Sequence, residues 1–239
     1  MIPKKIHYCW FGKNELPPSV KKNIESWKKY CPDYEIKCWN EKNYDLKKNA
    51  YVKEAYANKA YAFLTDYVRL DVISKEGGIY LDTDVELIKP LDNLLKNGNF
   101  MALESKGRVA TGLGFGFEPH NSIIQKNKEY YERHQFVSKN GNFNPEICVK
   151  ITTKLLMSYG LNLQDKTQLI NGITVYSSDY FAPLKAGRKK AIITNNTVAI
   201  HHYDASWYKG NKIVKNLKYQ LIPIKQFVKY KILRKRLYE

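Results

Sequence analysis

The sequence predicts an α/β fold: a mostly parallel, Rossmann-like central sheet flanked by helices over residues 1–208, then a basic helical tail over 209–239. Three observations carry this. The chain opens as strand, helix, strand, which implies a parallel pair joined by a crossover. A helical pattern over 50–76 runs into Gly77-Gly78 and then into a strand-like run. Neither an internal repeat nor a Ser/Gly linker divides the 239 residues, which are enough for one sizeable core.

The elements follow in order. KIHYCWF is short, aromatic and β-prone, and Gly12 stops it. Pro17-Pro18-Ser19 opens a helix in which Val20, Ile24 and Trp27 recur at i, i+4 and i+7. Pro32 ends it, and Tyr34, Ile36 and Cys38 then alternate with Glu35, Lys37 and Trp39 as in a strand. In such sheets ligands sit beyond the carboxyl ends of the strands, here near Trp10 to Lys13. Two helices are expected over 50–76, with Phe63, Tyr67 and Leu70 on one stripe. IYLDTDVELI reads as a single strand, with Tyr80, Asp82, Asp84 and Glu86 on one face. A short helix over 91–95, a strand-like, glycine-rich region over 99–120, helix over 121–160 and short strands such as ITVY and TVAIHHY complete the pattern.

Apolar residues make up 44% of the chain, so it folds rather than staying disordered. The net charge of +17 attracts polyanions, whether nucleic acid, anionic lipid or phosphorylated small molecules. Cys9, Cys31, Cys38 and Cys148 form neither a C-x-x-C pair nor a zinc-spaced cluster, and read as buried thiols of a reducing cytoplasm. The N-terminus lacks the apolar core of a signal peptide, and no stretch approaches the ~20 apolar residues of a membrane span. The protein is expected to be cytoplasmic, free or resting on the inner face of the membrane.

Asp82-Thr83-Asp84 is the sharpest chemical feature. Two carboxylates at spacing two on a strand point the same way and can share one hard cation, Mn²⁺ or Mg²⁺, with substrate phosphates. Asp66 and Arg69, at i and i+3, share a helix face, so an ion pair can hold both in place. A histidine from the HHYDASW run, His201 or His202, could complete a metal–diphosphate site from a distant part of the chain. Each feature also has a structural reading as a solvated strand end, an ordinary surface pair or a hydrogen-bonded histidine.

The run AFLTDYVRLDVISKEGGIYLDTDVELIKPLD closely resembles the central block of the family 32 glycosyltransferases. These are the DXD sugar-binding region enzymes, which include bacterial capsular and lipopolysaccharide sugar transferases. IPKKIHYCWFG, PPSVKKNIESWKKYCPDYEIKCWNE and HHYDASW are similar to its flanking motifs, so the likeness spans roughly residues 1–207. The resemblance implies a GT-A fold, a nucleotide-sugar donor, Mn²⁺ or Mg²⁺, and transfer with retention of configuration. It implies that Trp10 stacks on the base, and that Asp66 and Arg69 hold the donor sugar. It further implies Asp82 toward ribose and metal, Asp84 on the metal, His202 as the preferred third ligand with His201 second, and Ser206 and Trp207 on the diphosphate. A UDP-hexose donor and a glycan or lipid-linked glycan acceptor in surface polysaccharide synthesis are the favoured partners, with a GDP-sugar open. Glu104 and Glu118, flanking the glycine-rich segment, are weaker candidates for the acceptor.

The tail from Lys209 to Glu239 carries ten Lys or Arg and one acid among apolar residues. Such a stretch suits either an anionic membrane surface or a helix packed on the domain. Two rival functions are a nucleic-acid-binding module, suggested by the charge and the 19 tyrosines, and a metal-dependent nucleotidyl or phosphoryl transferase. Against the first, no recognised nucleic-acid motif is present and paired carboxylates repel phosphates, so no nucleic-acid partner is expected. Against the second, there is neither a P-loop nor a nucleotidyltransferase signature.

Overall fold

The computed structural model describes residues 1–204 apart from Lys139, Asn144, Pro145, Ala186, Gly187 and Lys189. Ser206, Trp207 and the tail over 209–239 lie outside the described residues.

The chain opens as expected. Strand β1 (Lys5–Cys9), helix α1 (Pro18–Tyr30) and strand β2 (Glu35–Trp39) form a crossover unit, and β1 and β2 are parallel with Ile6 opposite Ile36. Pro18 sits in the first turn of α1, where its missing N–H costs nothing. The buried face of α1 carries Val20, Ile24 and Trp27, the spacing read from the sequence, and adds Asn23.

Helices α2 (Ala50–Ala57) and α3 (Tyr61–Glu76) occupy the helical stretch, and α3 leads into β3 (Gly78–Tyr80). The double glycine between them is a steric necessity. Gly77 has φ +65° and Gly78 φ +96°, and a Cβ on Gly78 would lie 2.7 Å from the Lys5 carbonyl oxygen. After β4 (Val85–Leu87) and a single turn, α4 (Asp92–Leu95), come β5 (Phe100–Ser105), β6 (Arg108–Val109) and β7 (Phe115–Phe117). Helices α5 (Ser122–Glu132) and α6 (Cys148–Met157) fill part of the expected helical region. Strands β8 (Gln168–Ile170), β9 (Ile173–Tyr176) and β10 (Ala199–His201) end the described chain.

The main sheet runs β2-β1-β3-β7-β5-β9-β8, with β6 beside β5. Parallel pairing of β1 with β2 and β3, and of β5 with β9, gives five strands one direction; β6, β7 and β8 run against them. The sheet is therefore mixed, with β7 reversed between β3 and β5. Alternation along each strand splits the core in two. Ile6, Tyr8, Phe100 and Ala102 pack with Val20, Ile24 and Trp27 of α1 on one face; Met101 and Leu103 pack with Leu64, Tyr67 and Val68 of α3 on the other.

The expected single strand IYLDTDVELI is divided. The chain leaves the main sheet after Tyr80 and turns at Thr83–Asp84, where the Val85 amide donates to the Asp82 carbonyl at 3.0 Å. It then enters a separate two-stranded sheet, β4 antiparallel to β10. Side chains of α1 capture this segment. Asn23 Nδ2 donates to the Thr83 carbonyl at 2.9 Å, Trp27 Nε1 to the Val85 carbonyl at 2.8 Å, and Ser26 Oγ accepts from the Leu87 amide at 2.9 Å. These bonds replace the main-sheet ladder that a continuous strand would have kept.

Candidate active site

The parallel strands aim their carboxyl ends at one edge, and the candidate residues gather there. Asp82 and Asp84 belong to the turn leaving β3, not to one strand face. Their carboxylates converge because the turn folds them together. The Asp84 carbonyl accepts from the His202 amide at 2.9 Å, and Asp84 Oδ2 from the Asp204 amide at 3.0 Å. A left-handed residue, Tyr203 at φ +55°, makes the bend that brings Asp204 back to Asp84.

Register decides between the two histidines. His201 is opposite Val85 in the β4–β10 ladder, and its Nε2 lies 3.2 Å from Asp84 Oδ1. Potential ligand atoms of Asp82, Asp84 and His201 all fall within 4.8 Å of one another. His202, the next residue, turns to Glu86 at 2.9 Å. The structure places His201, rather than the preferred His202, beside Asp84: adjacent residues on an extended chain project to opposite sides, and His201 has the inner side.

Asp66 and Arg69 on α3 complete the acidic and basic halves of the site. Both are buried, and Arg69 Nη2 lies 3.0 Å from Asp66 Oδ1 and 3.4 Å from Asp82 Oδ1. The Thr65 carbonyl accepts from Arg69 Nε at 3.2 Å, and the guanidinium stands 5.0 Å from the Tyr80 ring centroid. The Tyr80 hydroxyl donates to Asp82 Oδ1 at 3.0 Å. The surface-pair reading of Asp66 and Arg69 is excluded by their burial.

Burial dominates the electrostatics. It pushes the Asp66 carboxyl up to about 6, against the pull of Arg69. Burial, and then the neighbouring Asp84 charge, raise Asp82 although Arg69 lowers it. Asp84 also feels burial, but His201 and the Asp204 amide outweigh it and hold its carboxyl below the ordinary range. The His201 imidazole is disfavoured as a cation by burial, yet Asp84 more than offsets this and raises it.

Several contributors were not singled out from the sequence. Gly112 passes so close that a Cβ there would lie 2.2 Å from Asp82 Oδ2, and its carbonyl accepts from the Asp82 amide at 3.1 Å. Thr111 Oγ1 is 3.5 Å from Arg69 Nη1. The only available signal was the glycine run TGLGFGFE. Cys148, read as an inert core thiol, stands at the start of α6 beside Asp66 and Thr111, where burial and the Asp66 charge keep it protonated. Trp10 follows β1 at the same sheet edge, half-buried, its indole N–H donated to the Asn14 carbonyl at 2.7 Å. Glu104 is at this edge too, held by Arg108 Nε at 2.6 Å. Glu118 is not: β7 is reversed, so Glu118 emerges at the opposite edge, paired with the N-terminal amine.

A D-x-D turn thus lies at the carboxyl edge of the α/β sheet, backed by a buried Asp–Arg pair. Residues 17–101 match the family described as glycosyltransferase sugar-binding region containing DXD motif. The chain is 34% identical over 87 residues to human alpha-1,4-N-acetylglucosaminyltransferase, covering 36% of this chain and 24% of that one. It is 26% identical over 192 residues to an uncharacterized glycosyltransferase of Acanthamoeba polyphaga mimivirus, covering 77% and 74%. It is 28% identical over 128 residues to the initiation-specific alpha-1,6-mannosyltransferase of Candida albicans, covering 49% and 33%. The chain thus spans only a third or less of the human and Candida relatives. Among solved structures it is similar to PaToxG glycosyltransferase, with a TM-score of 0.49 at 21% identity over 66% of this chain and 68% of that one.

Proposed function

We propose that this chain is a divalent-metal-dependent glycosyltransferase that moves a hexose from a nucleotide-sugar, in the first instance a UDP-sugar, to a glycan or lipid-linked glycan. The observation that carries the reading is the convergence of Asp82, Asp84 and His201 beside the buried Asp66–Arg69 pair, where all but His201 lie within the matched sugar-binding region. The relatives named as N-acetylglucosaminyl- and mannosyltransferases support a hexosyl donor.

Two carboxylates and an imidazole with ligand atoms inside 4.8 Å are a donor set suited to Mn²⁺ or Mg²⁺. A cation bound by them would act as a Lewis acid toward the diphosphate leaving group. The chain's own residues do the rest. Arg69, fixed by Thr65 and Asp66, presents its Nη groups toward Asp82 and Thr111, where they would meet diphosphate oxygens or sugar hydroxyls. Because these donors are preorganised in a buried setting, they favour the charge that develops on the leaving group. Asp66 would accept from a hydroxyl of the donor sugar, and Trp10 would stack on the base.

No carboxylate is assigned as a covalent nucleophile, so the reading is front-face substitution. The bond from the anomeric carbon to the phosphate oxygen breaks, the bond to the acceptor oxygen forms on the same face, and the acceptor proton passes to the departing phosphate. Retention of configuration is what the family resemblance implies, and the same-face reading accords with it.

Donor hydrolysis across a panel of UDP- and GDP-sugars, with and without Mn²⁺ and beside Asp84→Asn, tests it. Mn²⁺-dependent release of one nucleoside diphosphate, lost in the variant, is expected. No turnover and no calorimetric binding of any nucleotide-sugar or diphosphate would overturn it. A role at an anionic membrane surface in polysaccharide synthesis rests on the basic composition of 209–239. No helix among the described residues is long and apolar enough to cross a membrane. Full-length protein that ignores anionic liposomes at low salt would remove the membrane role.

A further inference from the structure

A cavity of about 430 Å³ opens beside the carboxyl end of β9, lined by Asp165, Lys166, Thr167, Ser177, Ser178 and Asp179. The sheet register places it on the same edge as the D-x-D turn. Ile79 is level with Gly116, Gly116 with Phe100, and Phe100 with Thr174, so Ser177 stands level with Asp82 across the sheet. The intervening distance is three strand spacings, about 14 Å.

Two connections tie the cavity to the candidate site. Tyr180 and Phe181, just past Asp179, dock β10: the Tyr180 carbonyl accepts from the Val198 amide at 2.9 Å and the Phe181 carbonyl from the His201 amide at 3.1 Å. Lys185 Nζ spans the other side, 2.5 Å from Ser178 Oγ and 3.5 Å from the Glu104 carbonyl oxygen.

The walls are hydroxyl-rich and cross-linked by hydrogen bonds. Asp165 Oδ1 accepts from the Ser178 amide at 2.8 Å and Oδ2 from its hydroxyl at 2.6 Å. Asp179 accepts from Ser177 at 2.5 Å and from Thr194 and Asn196 at 3.0 Å. Local charge is what distinguishes the place. On a chain of net +17, this cavity is locally balanced: Asp165 and Asp179 in its lining face Lys166 and, at Ser178, Lys185. A wall without net charge gives an anion no advantage and offers paired acceptors and donors to a neutral polyol.

We propose that this cavity is an acceptor subsite that holds a neutral, uncharged glycan segment, remote from the reacting hydroxyl. This rests on the transferase reading above and names the substrate class of its acceptor. Binding of a remote segment orients the reacting hydroxyl, which is how energy gained away from the chemistry raises the rate.

The test uses the full chain without donor, with chitobiose, lactose, maltotriose and mannobiose as neutral probes, read by saturation-transfer NMR. Lys166→Trp locates the site, because no hydrogen bond or ion pair of the Lys166 side chain is seen among the described residues, and an indole there fills the cavity. Thermal melting confirms that the variant is folded. At least one probe is expected to bind, and Lys166→Trp to weaken it by about ten-fold or more, equivalent to ~1.4 kcal/mol. Absence of binding by all four neutral probes, equal binding by the folded variant, or stronger binding of glucose 1-phosphate than of the neutral sugars would each overturn it. Donor hydrolysis by the wild-type chain is measured separately. Its failure removes the transferase reading; loss of the oligosaccharide signal alone removes the subsite.

Discussion

Gly112 offers a perturbation that should separate the site from the fold. Its backbone lies outside the left-handed region, so Gly112→Ala adds one methyl and no conformational strain. That methyl would start 2.2 Å from Asp82 Oδ2, 3.1 Å from Arg69 Nη1 and 3.2 Å from Asp82 Cγ. Relief to ordinary contact moves the carboxylate oxygen by about 1 Å, twice the tolerance of a preorganised site. The swing breaks the 3.0 Å bond from Tyr80 and the 3.4 Å approach of Arg69. Disturbing a ligand's orientation without removing it costs ~10–100-fold in metal affinity, or about 1.4–2.7 kcal/mol. Stability should fall by only about 1 kcal/mol, the lower end for overpacking, because the Asp82 side chain is 28% exposed and can swing outward once its contacts to Tyr80 and Arg69 are given up. Calorimetric Mn²⁺ titration and urea unfolding, with Asp82→Asn as comparator, measure both quantities. A Gly112→Ala protein with wild-type Mn²⁺ affinity would refute the reasoning, since the clash then has no consequence for the cation.

Other expectations follow from equally local features. His201→Ala should abolish detectable Mn²⁺ binding by calorimetry, whereas His202→Ala, which removes only the contact to Glu86, should change it less than about three-fold. Asp71 of α3 is fully buried and accepts from Tyr44 at 3.0 Å among Lys48, Lys75 and Lys128. Asp71→Asn leaves three ammonium groups without their shared anion, and should cost about 2 kcal/mol in urea, below the cost for a fully buried pair because Lys75 stays solvated. Acid should weaken the fold through His7, which donates to the Gly77 carbonyl at 2.9 Å and accepts from Trp39 Nε1 at 3.0 Å. Burial lowers its imidazole from 6.5 to about 4. The unfolded chain therefore takes up the extra proton in that window, and stability falls by about 3 kcal/mol as pH drops through it. His7→Gln should flatten that slope, and an unchanged slope would exclude His7 as its source.

The α/β architecture was legible because its signals are local: the i, i+4, i+7 stripe of α1, the punctuation at Gly77-Gly78, and the alternation in β2. Asp66, Arg69, Asp82 and Asp84 were legible for the same reason, with their spacing and the family resemblance agreeing. What failed was tertiary. Alternation over residues 79–88 cannot reveal that Asn23, Ser26 and Trp27 draw half the run into another sheet. The doublet His201-His202 guarantees that one ring faces inward, but only pairing with β4 says which. Cys148 carries no recognisable local pattern and Gly112 only that of its glycine run: each matters through a neighbour brought from elsewhere in the chain.

The Asp84 carboxylate is satisfied from 120 positions downstream, by the amide of Asp204. A chain emerging from the ribosome can therefore complete β1, β2, β3, β5 and β7 well before its chemistry has a second half. Closing so long a loop adds an entropic cost that grows only slowly with length, so late arrival is tolerated. The D-x-D turn waits, held by α1, until β10 latches onto β4. A nascent or truncated product ending before residue 199 would then carry a folded sheet and a nonfunctional site, which separates quality of folding from competence to act.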